Sequence, residues 1–292
     1  MEEKRFDLHM HSNCSDGSDA PALVVEHAKD AGLALMALTD HDTVCGVPEA
    51  LEAGRAQGVA VLPALEMDTE YPGEMHILGL GVDIESPALT HALAVAGERR
   101  IARNRVILER LKAAGYDIAP FLSGAEGSVT RLHIALALIE AGYAESIHDA
   151  FARYLRRGGP GYYTVTRFSP EEVLSILLAA GGTPVWAHPY HLEGNLLPAL
   201  DMLVANGLMG IEAYHPSASE GQSKTLLSLA RQRKLLVTCG SDSHGSHRQN
   251  TFCGCTWRDT PELNQTFDFL SSTYFPHPST KNRIESTGRA AN

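Results

Sequence analysis

The chain has 292 residues, of which 44% are hydrophobic and 20% are charged, and its formal net charge is -11. This length and apolar content suit one large globular domain, and the negative charge disfavours a long nucleic-acid duplex as a partner. No apolar run approaches the ~18 residues of a membrane span and no secretion signal opens the chain, so we expect a cytoplasmic protein without a membrane partner.

Short apolar runs rich in β-forming residues alternate with helical segments, a pattern typical of a parallel sheet with helical crossovers. Seven strands are predicted, over residues 6–9, 35–39, 59–65, 75–79, 184–187, 210–213 and 235–239. Helices are predicted between them, and the segment "SPEE" is typical of a helix start, with Ser169 as N-cap and Glu172 completing a capping box. The sequence therefore predicts an α/β fold.

The alternation breaks once, between the fourth and fifth predicted strands. No strand pattern is found from about residue 98 to 168, where "RRIARNRVILERLKAAG", "TRLHIALALIEAG" and "SIHDAFARYLRRG" predict consecutive helices. We therefore expect residues 1–98 and 169–292 to form one discontinuous barrel domain. Residues 99–168 are expected to form a helical insertion that covers the active site.

Almost every predicted strand carries an imidazole or a carboxylate at or near its C-terminal end, where parallel α/β barrels build active sites. In chain order these residues are His9, His11, Asp16, Asp40, His41, Glu66, His76, His188, His215, Asp242 and His244. Imidazole nitrogen and carboxylate oxygen together suit zinc, manganese or iron. The pattern therefore predicts a cluster of metal ions at this end of the barrel.

Each of these residues has a plainer explanation when it is taken alone. Asp16 and Asp40 suit turns and helix N-caps, and Glu66 and Asp242 suit solvated loops. Independent capping and solvation do not explain why the pattern recurs after six or seven successive strands, so the metal cluster is the better hypothesis. Four other histidines lack this placement and are expected to be structural: His27, His91, His148 and His247.

The segments "DLHMHSNCSDGS", "ALTDHDTVCG", "LEMD", "HILGL", "WAHP" and "GSDSH" resemble the successive motifs of the PHP family, named for polymerase and histidinol phosphatase members. This resemblance implies a distorted (β/α)7 TIM-like barrel that hydrolyses phosphoesters with about two to three divalent transition-metal ions. Manganese is the first choice, and zinc or iron are the alternatives. The implied metal ligands are His9, His11, Asp16, His41, Glu66, His76, His188, Asp242 and His244.

Within the PHP family, the helical insertion most resembles a stand-alone bacterial subgroup. That subgroup converts nucleoside 3',5'-bisphosphates such as pAp to AMP and phosphate, and is also implicated in trimming short RNA from the 5' end. The resemblance implies a small nucleotide or a short oligonucleotide as the partner. Three alternatives stay open: another small phosphomonoesterase such as a histidinol-phosphatase-like enzyme, a C–N bond amidohydrolase, and a metal-binding module without turnover.

Chemistry assigns further roles to individual residues. Glu66 is the natural bridge between two ions, because its two oxygens can reach both, and a water between those ions would ionise near neutral pH and attack phosphorus. Asp40 is expected either to orient an imidazole or to serve the turn that contains it. Candidate substrate contacts, whose alternative is a solvated, paired or capping role, are Arg99, Arg103, Asn104, Arg131, His133 and His215.

Overall fold

The computed structural model describes residues 4–122, 129–192, 194–248 and 250–276. The strands are β1 (Phe6–Asp7), β2 (Leu35–Leu38), β3 (Ala60–Asp68), β4 (His76–Leu80), β5 (Thr183–Ala187), β6 (Gly210–Tyr214) and β7 (Leu236–Cys239). The helices are α1 (Pro21–Asp30), α2 (Val47–Gln57), α3 (Pro87–Ala113), α4 (Arg131–Glu140), α5 (Ile147–Ala150), α6 (Pro170–Ala179), α7 (Leu196–Ala205), α8 (Glu220–Arg233) and α9 (Pro261–Tyr274). None of the helices in these ranges is both long and apolar enough to cross a membrane.

The seven strands form one sheet in chain order, from β1 to β7. The sheet curls until its first and last strands meet. The Leu8 N–H donates to the carbonyl of Cys239 over 3.1 Å, and Met10 pairs with Ser243 in a parallel bridge. The predicted α/β barrel with seven strands is therefore confirmed.

One strand runs against the direction that the sequence pattern indicated. β4 pairs in antiparallel fashion with both β3 and β5, whereas the remaining neighbouring pairs are parallel. Segment 69–75, which joins β3 to β4, is too short for a helical crossover, so only a hairpin can connect these strands. His76 consequently reaches the active rim from the first residue of β4 and not from its C-terminal end.

Local signals explain where the helices begin. The Ser169 hydroxyl accepts a hydrogen bond from the Glu172 N–H over 3.2 Å, and the Glu172 carboxylate accepts one from the Ser169 N–H over 2.7 Å. This reciprocal pair is the predicted capping box, and Pro170 occupies the first helical position, where its missing N–H costs nothing. α6 is thereby fixed beside β5, with its apolar face turned towards the barrel.

Helix α3 joins the barrel to the insertion without a break. It is 27 residues long and runs through position 98, where the sequence predicts the insertion to begin. Leu89 and Ala92 in its first half pack in the barrel core, whereas Ile107 and Leu111 in its second half pack with α4 and α5 in a separate core. Where one domain ends and the other begins stays a prediction.

The barrel core offers a matched pair of leucines for a stability test. Leu177 on α6 is fully buried, while its neighbour Leu178 is 40% exposed. We expect Leu177→Ala to lower the free energy of unfolding by about 2–5 kcal/mol, because it removes buried methyl groups and leaves a cavity. Leu178→Ala should cost less than about 1 kcal/mol. Urea denaturation measures both, and equal losses would contradict this description of the core.

Candidate metal centre

Strained backbone marks the rim of the barrel where the candidate ligands lie. Among the described non-glycine residues, φ is positive at Asp42 (49°), His188 (27°), Asp242 (49°) and Lys234 (56°). The first three follow β2, β5 and β7, whereas Lys234 ends α8. Such conformations cost on the order of 1–3 kcal/mol each and cluster at functional sites. The strain is therefore concentrated at the ends of three strands that converge on one point.

Glu66 in β3 lies at that point and is only 1% exposed. Its carboxylate oxygens lie between 2.9 and 3.3 Å from ring nitrogens of His9, His11, His41, His76 and His188. Burial alone would raise the pKa of Glu66, but the surrounding imidazoles hold it well below its usual range. An ionised carboxylate therefore sits at the centre of a shell of five imidazoles.

Two further carboxylates extend this cluster. Asp16 Oδ1 lies 3.3 Å from His244 Nε2, and Asp16 Oδ2 lies 3.9 Å from His41 Nε2. Asp242 Oδ1 lies 3.2 Å from His11 Nε2. All nine predicted metal ligands therefore meet at one end of the barrel, although their binding of metal stays a prediction.

The unsatisfied atoms of the cluster fit metal ions. Within the described residues, buried atoms without a hydrogen-bond partner include both ring nitrogens of His11, Nδ1 of His41 and His188, and Oδ1 of Asp68. Such atoms are costly to bury, and divalent ions would satisfy them. Donor atoms lie within 4.8 Å of one another in four groups: His11, Asp16, His41 and His244; His9, His11 and Glu66; His41, Glu66 and His76; Glu74, His76 and His188.

The protonation of the cluster differs from ring to ring. Burial lowers the pKa of His188 to about 4, so this ring is neutral and ready to act as a ligand. Burial also opposes the charged forms of His11 and His41, yet the carboxylates around them raise the pKa of each ring to about 9. Without metal, protons hold these two rings beside the carboxylates, and an ion would have to displace those protons.

Of the two roles expected for Asp40, the contacts fit the turn and not the orientation of an imidazole. The Asp40 carboxylate accepts hydrogen bonds from the Ser12 N–H over 2.8 Å, from the Ser12 hydroxyl over 2.6 Å and from the Ser15 hydroxyl over 2.6 Å. These bonds tie the loop after β1 to the end of β2. Asp40 therefore positions the loop that carries Asp16 and does not touch an imidazole.

Sequence analysis missed three acidic residues of this centre. Asp68 Oδ1 lies 3.3 Å from nitrogens of both His41 and His76, and Glu74 falls within one of the candidate ligand groups. Glu212, in the middle of β6, contacts His9 from below the rim. A carboxylate inside a buried apolar strand, as in "GIEAY", is rare unless it has a partner, and this was the available signal.

A cavity of about 210 Å³ opens over the rim, between the barrel and the insertion. Its barrel side includes Asp16, His41, Asp68 and His76, and its other walls include Arg100, Arg103, Thr130, Arg131, His247 and Arg248. His247, which was expected to be structural, lines the cavity, and its Nδ1 lies 2.9 Å from the Asp16 backbone carbonyl, a contact that fits a structural role. The cavity therefore joins the candidate metal centre to a basic wall, although the whole chain is acidic.

Four predicted substrate contacts have other surroundings. The Asn104 amide accepts from Arg103 and donates to the Val129 carbonyl over 2.8 Å, so it holds Arg103 in place. His133 completes the cap of α4, its Nδ1 accepting from the Thr130 N–H over 3.1 Å.

The other two are Arg99 and His215. The Arg99 guanidinium lies 4.8 Å from the centre of the Phe168 ring, in a side pocket, and the next residue, Arg100, lines the main cavity instead. His215 Nε2 lies 3.3 Å from Asp242 Oδ2, and its Nδ1 lies 2.7 Å from the Ser217 hydroxyl. His215 is thus part of the buried cluster and not of the cavity wall.

Comparison with known proteins identifies the family. The family described as the PHP domain matches residues 7–163. The chain belongs to the PHP domain family. With the cluster of imidazoles and carboxylates, this membership makes the protein a metal-dependent hydrolase of phosphoesters, as predicted. This assignment favours an active enzyme over the module without turnover that the sequence had left open.

Relatives of this PHP protein act on several phosphoesters. It is 36% identical to the 5'-3' exoribonuclease Rnm of Salmonella typhimurium, over 82% of this chain and 85% of the relative. It is 36% identical to the phosphoribosyl 1,2-cyclic phosphate 1,2-diphosphodiesterase of Eggerthella lenta, over 82% and 94%. It is 34% identical to the 3',5'-nucleoside bisphosphate phosphatase of Chromobacterium violaceum, over 82% and 87%.

A solved structure shows the same architecture. It is a protein from Bifidobacterium adolescentis proposed to be a metal-dependent phosphoesterase, 30% identical to this chain, with a TM-score of 0.83. The alignment covers 91% of this chain and 96% of that one.

The central carboxylate gives a first prediction for the site. Glu66→Gln keeps the shape of the side chain but removes its negative charge, so we expect it to lose metal and to lower turnover at least about a thousandfold, or about 4 kcal/mol of barrier. Elemental analysis and phosphate release measure the two effects. Glu262→Gln, on a surface ion pair with Arg231, is the matched control and should change neither. If the Glu66→Gln enzyme kept a tenth of the wild-type rate, Glu66 would not be the central carboxylate of the metal centre.

Proton release gives a second prediction. At pH 8 the metal-free protein keeps His11 and His41 protonated, because the pKa of each ring is raised to about 9. Ligation requires neutral rings, so zinc binding at pH 8 should release at least the protons of these two rings, and fewer as the pH rises through 9. His9 adds to the release, because the carboxylates around it hold its pKa well above the usual value despite burial. Titration calorimetry in buffers of different ionisation enthalpy measures the number of protons released. No net release at pH 8 would show that these rings are not displaced ligands.

Proposed function

We propose that this PHP protein removes the 3'-phosphate from nucleoside 3',5'-bisphosphates, converting pAp to AMP and phosphate, and that it also trims short RNA from the 5' end. Such a substrate carries two phosphate groups on one ribose. One group has to lie on the candidate metal centre while the other is held elsewhere. The relatives from Chromobacterium violaceum and Salmonella typhimurium carry the names of these two activities, which supports the proposal.

The observation that carries the proposal is a pair of arginines without a carboxylate partner, one of them buried and the other half-buried. Arg103 is only 5% exposed, and its guanidinium contacts the neutral amide of Asn104 at 2.9 and 3.1 Å. Arg131 begins α4 and also lines the cavity. Among the described residues neither arginine lies within ion-pair distance of an acid. Two such cations beside a metal centre are suited to bind a phosphate dianion.

The electrostatics of this pair favour an anion from outside the chain. Burial, and after it the nearby Arg100, lowers the pKa of Arg103 to about 9, so the side chain is still charged at neutral pH but is poorly stabilised. Burial and Arg167 lower the pKa of Arg131 as well. A bound phosphate would relieve both, because its charge is opposite and its oxygens match the planar guanidinium.

The division of labour follows from this arrangement. Divalent ions held by the nine imidazole and carboxylate ligands would neutralise the reacting phosphate and ionise an attacking water near neutral pH. Arg103 and Arg131 would bind the remote phosphate and so orient the ester over the rim, which converts binding energy into positioning. Asp40 keeps the Asp16 loop in register by its bonds to Ser12 and Ser15.

A second candidate substrate is a phosphoribosyl cyclic phosphate. The Eggerthella lenta relative is named for it, and its identity to this chain is 36%. That compound also carries a reacting phosphate and a second phosphate on one ribose, so the paired arginines suit it equally well. What separates the candidates is the reacting group, a diester in the cyclic compound and a monoester in pAp.

Removing the remote phosphate tests the proposal. A charge-assisted contact of about 2–3 kcal/mol makes 3'-AMP a poorer substrate than pAp by tens- to hundreds-fold in kcat/KM. We expect Arg103→Ala and Arg131→Ala to reduce the ratio of kcat/KM for pAp to kcat/KM for 3'-AMP, while metal content stays unchanged. Arg105→Ala, on the same helix as Arg103 but with its side chain 77% exposed, is the control and should leave this ratio unchanged.

Two outcomes would contradict the proposal. Equal rates on 3'-AMP and pAp would make a general phosphomonoesterase the better description. Faster hydrolysis of phosphoribosyl 1,2-cyclic phosphate than of pAp, with the same loss in Arg131→Ala, would favour the second candidate.

A further inference from the structure

Glu212 lies directly beneath the candidate metal centre, outside the wall of the cavity. It sits in the middle of β6 and is 1% exposed. Its Oε1 lies 3.1 Å from His9 Nδ1, and its Oε2 accepts a hydrogen bond from the His188 N–H over 2.8 Å. One buried carboxylate thus contacts two candidate ligands that lie on different strands.

The bond to His9 decides which ring nitrogen faces the centre. A carboxylate next to Nδ1 favours a proton on that nitrogen, and this leaves Nε2 unprotonated as the donor to an ion. His9 Nε2 does point towards the centre, 3.2 Å from Glu66 Oε2 and 3.6 Å from Asp242 Oδ1. The ring is therefore oriented with Nδ1 towards Glu212 and Nε2 towards the candidate metal centre.

The hydrogen bond from the His188 N–H to Glu212 holds the backbone of His188 in place. His188 has a φ of 27°, a conformation that L residues rarely adopt. An N–H bond to a buried carboxylate stabilises this conformation, because few other acceptors are available inside the barrel. Its Nε2 is thereby held 2.9 Å from Glu66 Oε1.

The packing next to Glu212 is tight at Gly240. A Cβ atom at Gly240, just after β7, would lie 2.2 Å from Glu212 Oε1 and 2.3 Å from His9 Cβ. Only glycine permits this close approach, so β7 is fitted to the pair that Glu212 and His9 form.

We propose that Glu212 is a positioning residue for the metal centre, which fixes the Nδ1–H tautomer of His9 and the backbone of His188 at the same time. It touches neither substrate nor metal. The inference rests on the metal-dependent part of the proposed function and is independent of which phosphoester is the substrate.

The two acceptor oxygens make a sharp variant possible. Glu212→Gln keeps the volume of the side chain but replaces one acceptor oxygen by an NH2 group, so at least one of the two short contacts, 3.1 Å to His9 Nδ1 and 2.8 Å to the His188 N–H, loses its acceptor. The amide NH2 of the glutamine would then lie against the N–H of His9 or of His188, which is also a donor. We expect zinc affinity of the metal-free protein to fall about 10- to 100-fold, as is usual when a partner of a ligating histidine is changed. Glu172→Gln, which can keep its capping box, is the matched control.

The test reads tautomers and metal affinity, without substrate. In zinc-loaded, 15N-histidine-labelled wild-type protein, long-range 1H–15N spectra should show the ring that Glu212→Gln perturbs as an Nδ1–H, Nε2-ligated imidazole. A proton on Nε2 of that ring, or no histidine signal changed by Glu212→Gln, would overturn the proposal. So would unchanged zinc affinity in a Glu212→Gln protein whose thermal unfolding matches that of the wild type.

If Glu212→Gln does not fold, the signal missing from His9→Gln protein assigns the His9 ring, and the tautomer of that ring in the wild type decides the question. The bisphosphate substrate is tested separately. If wild-type enzyme hydrolyses pAp and 3'-AMP at equal rates, that proposal fails, but the histidine spectra expected here do not change.

Discussion

The crowding of five imidazoles around the single buried carboxylate of Glu66 is the constraint on which the rest of the structure depends. A buried anion is tolerated only if positive charge surrounds it, supplied here by protonated rings or by metal ions. The rings lie on or directly after four strands, with His9 and His11 both following β1, so these four strands must meet at one rim. The reversed direction of β4 serves the same requirement, because it brings the first residue of that strand, His76, to the point where the parallel strands end.

The sequence alone predicted the barrel and the polar side of its rim, and the reasons are local. Strand ends are visible in the alternation of apolar runs, and the polar residues that follow each strand are adjacent to it in the chain. The direction of β4 was predictable only from the short length of segment 69–75, which excludes a helical crossover. Glu212 was missed because it lies inside an apolar strand, where its partners, His9 and His188, are distant in sequence.

The substrate side of the cavity was less accessible from the sequence. Neighbouring residues of a helix point about 100° apart, so predicting whether Arg99 or Arg100 reaches the cavity needs the packing of α3 on the barrel. Arg100 is turned inwards and pairs with Asp42, a contact between the insertion and the loop after β2. Similarly, His133 suits both an anion site and a helix cap, and only the structure shows that Thr130 is its partner.

The continuity of α3 constrains how substrate preference can change among related enzymes. The single helix α3 carries both Leu89, which packs in the barrel core, and Arg103, which lines the cavity. A shift of its first turns would therefore also move Arg103. Recombination at the predicted domain boundary, between residues 98 and 99, would cut through this helix. Exchange of the whole segment between Ser86, the N-cap of α3, and Ser169, the N-cap of α6, would instead leave α3 intact. It would transfer the cavity arginines of α3 and α4 together.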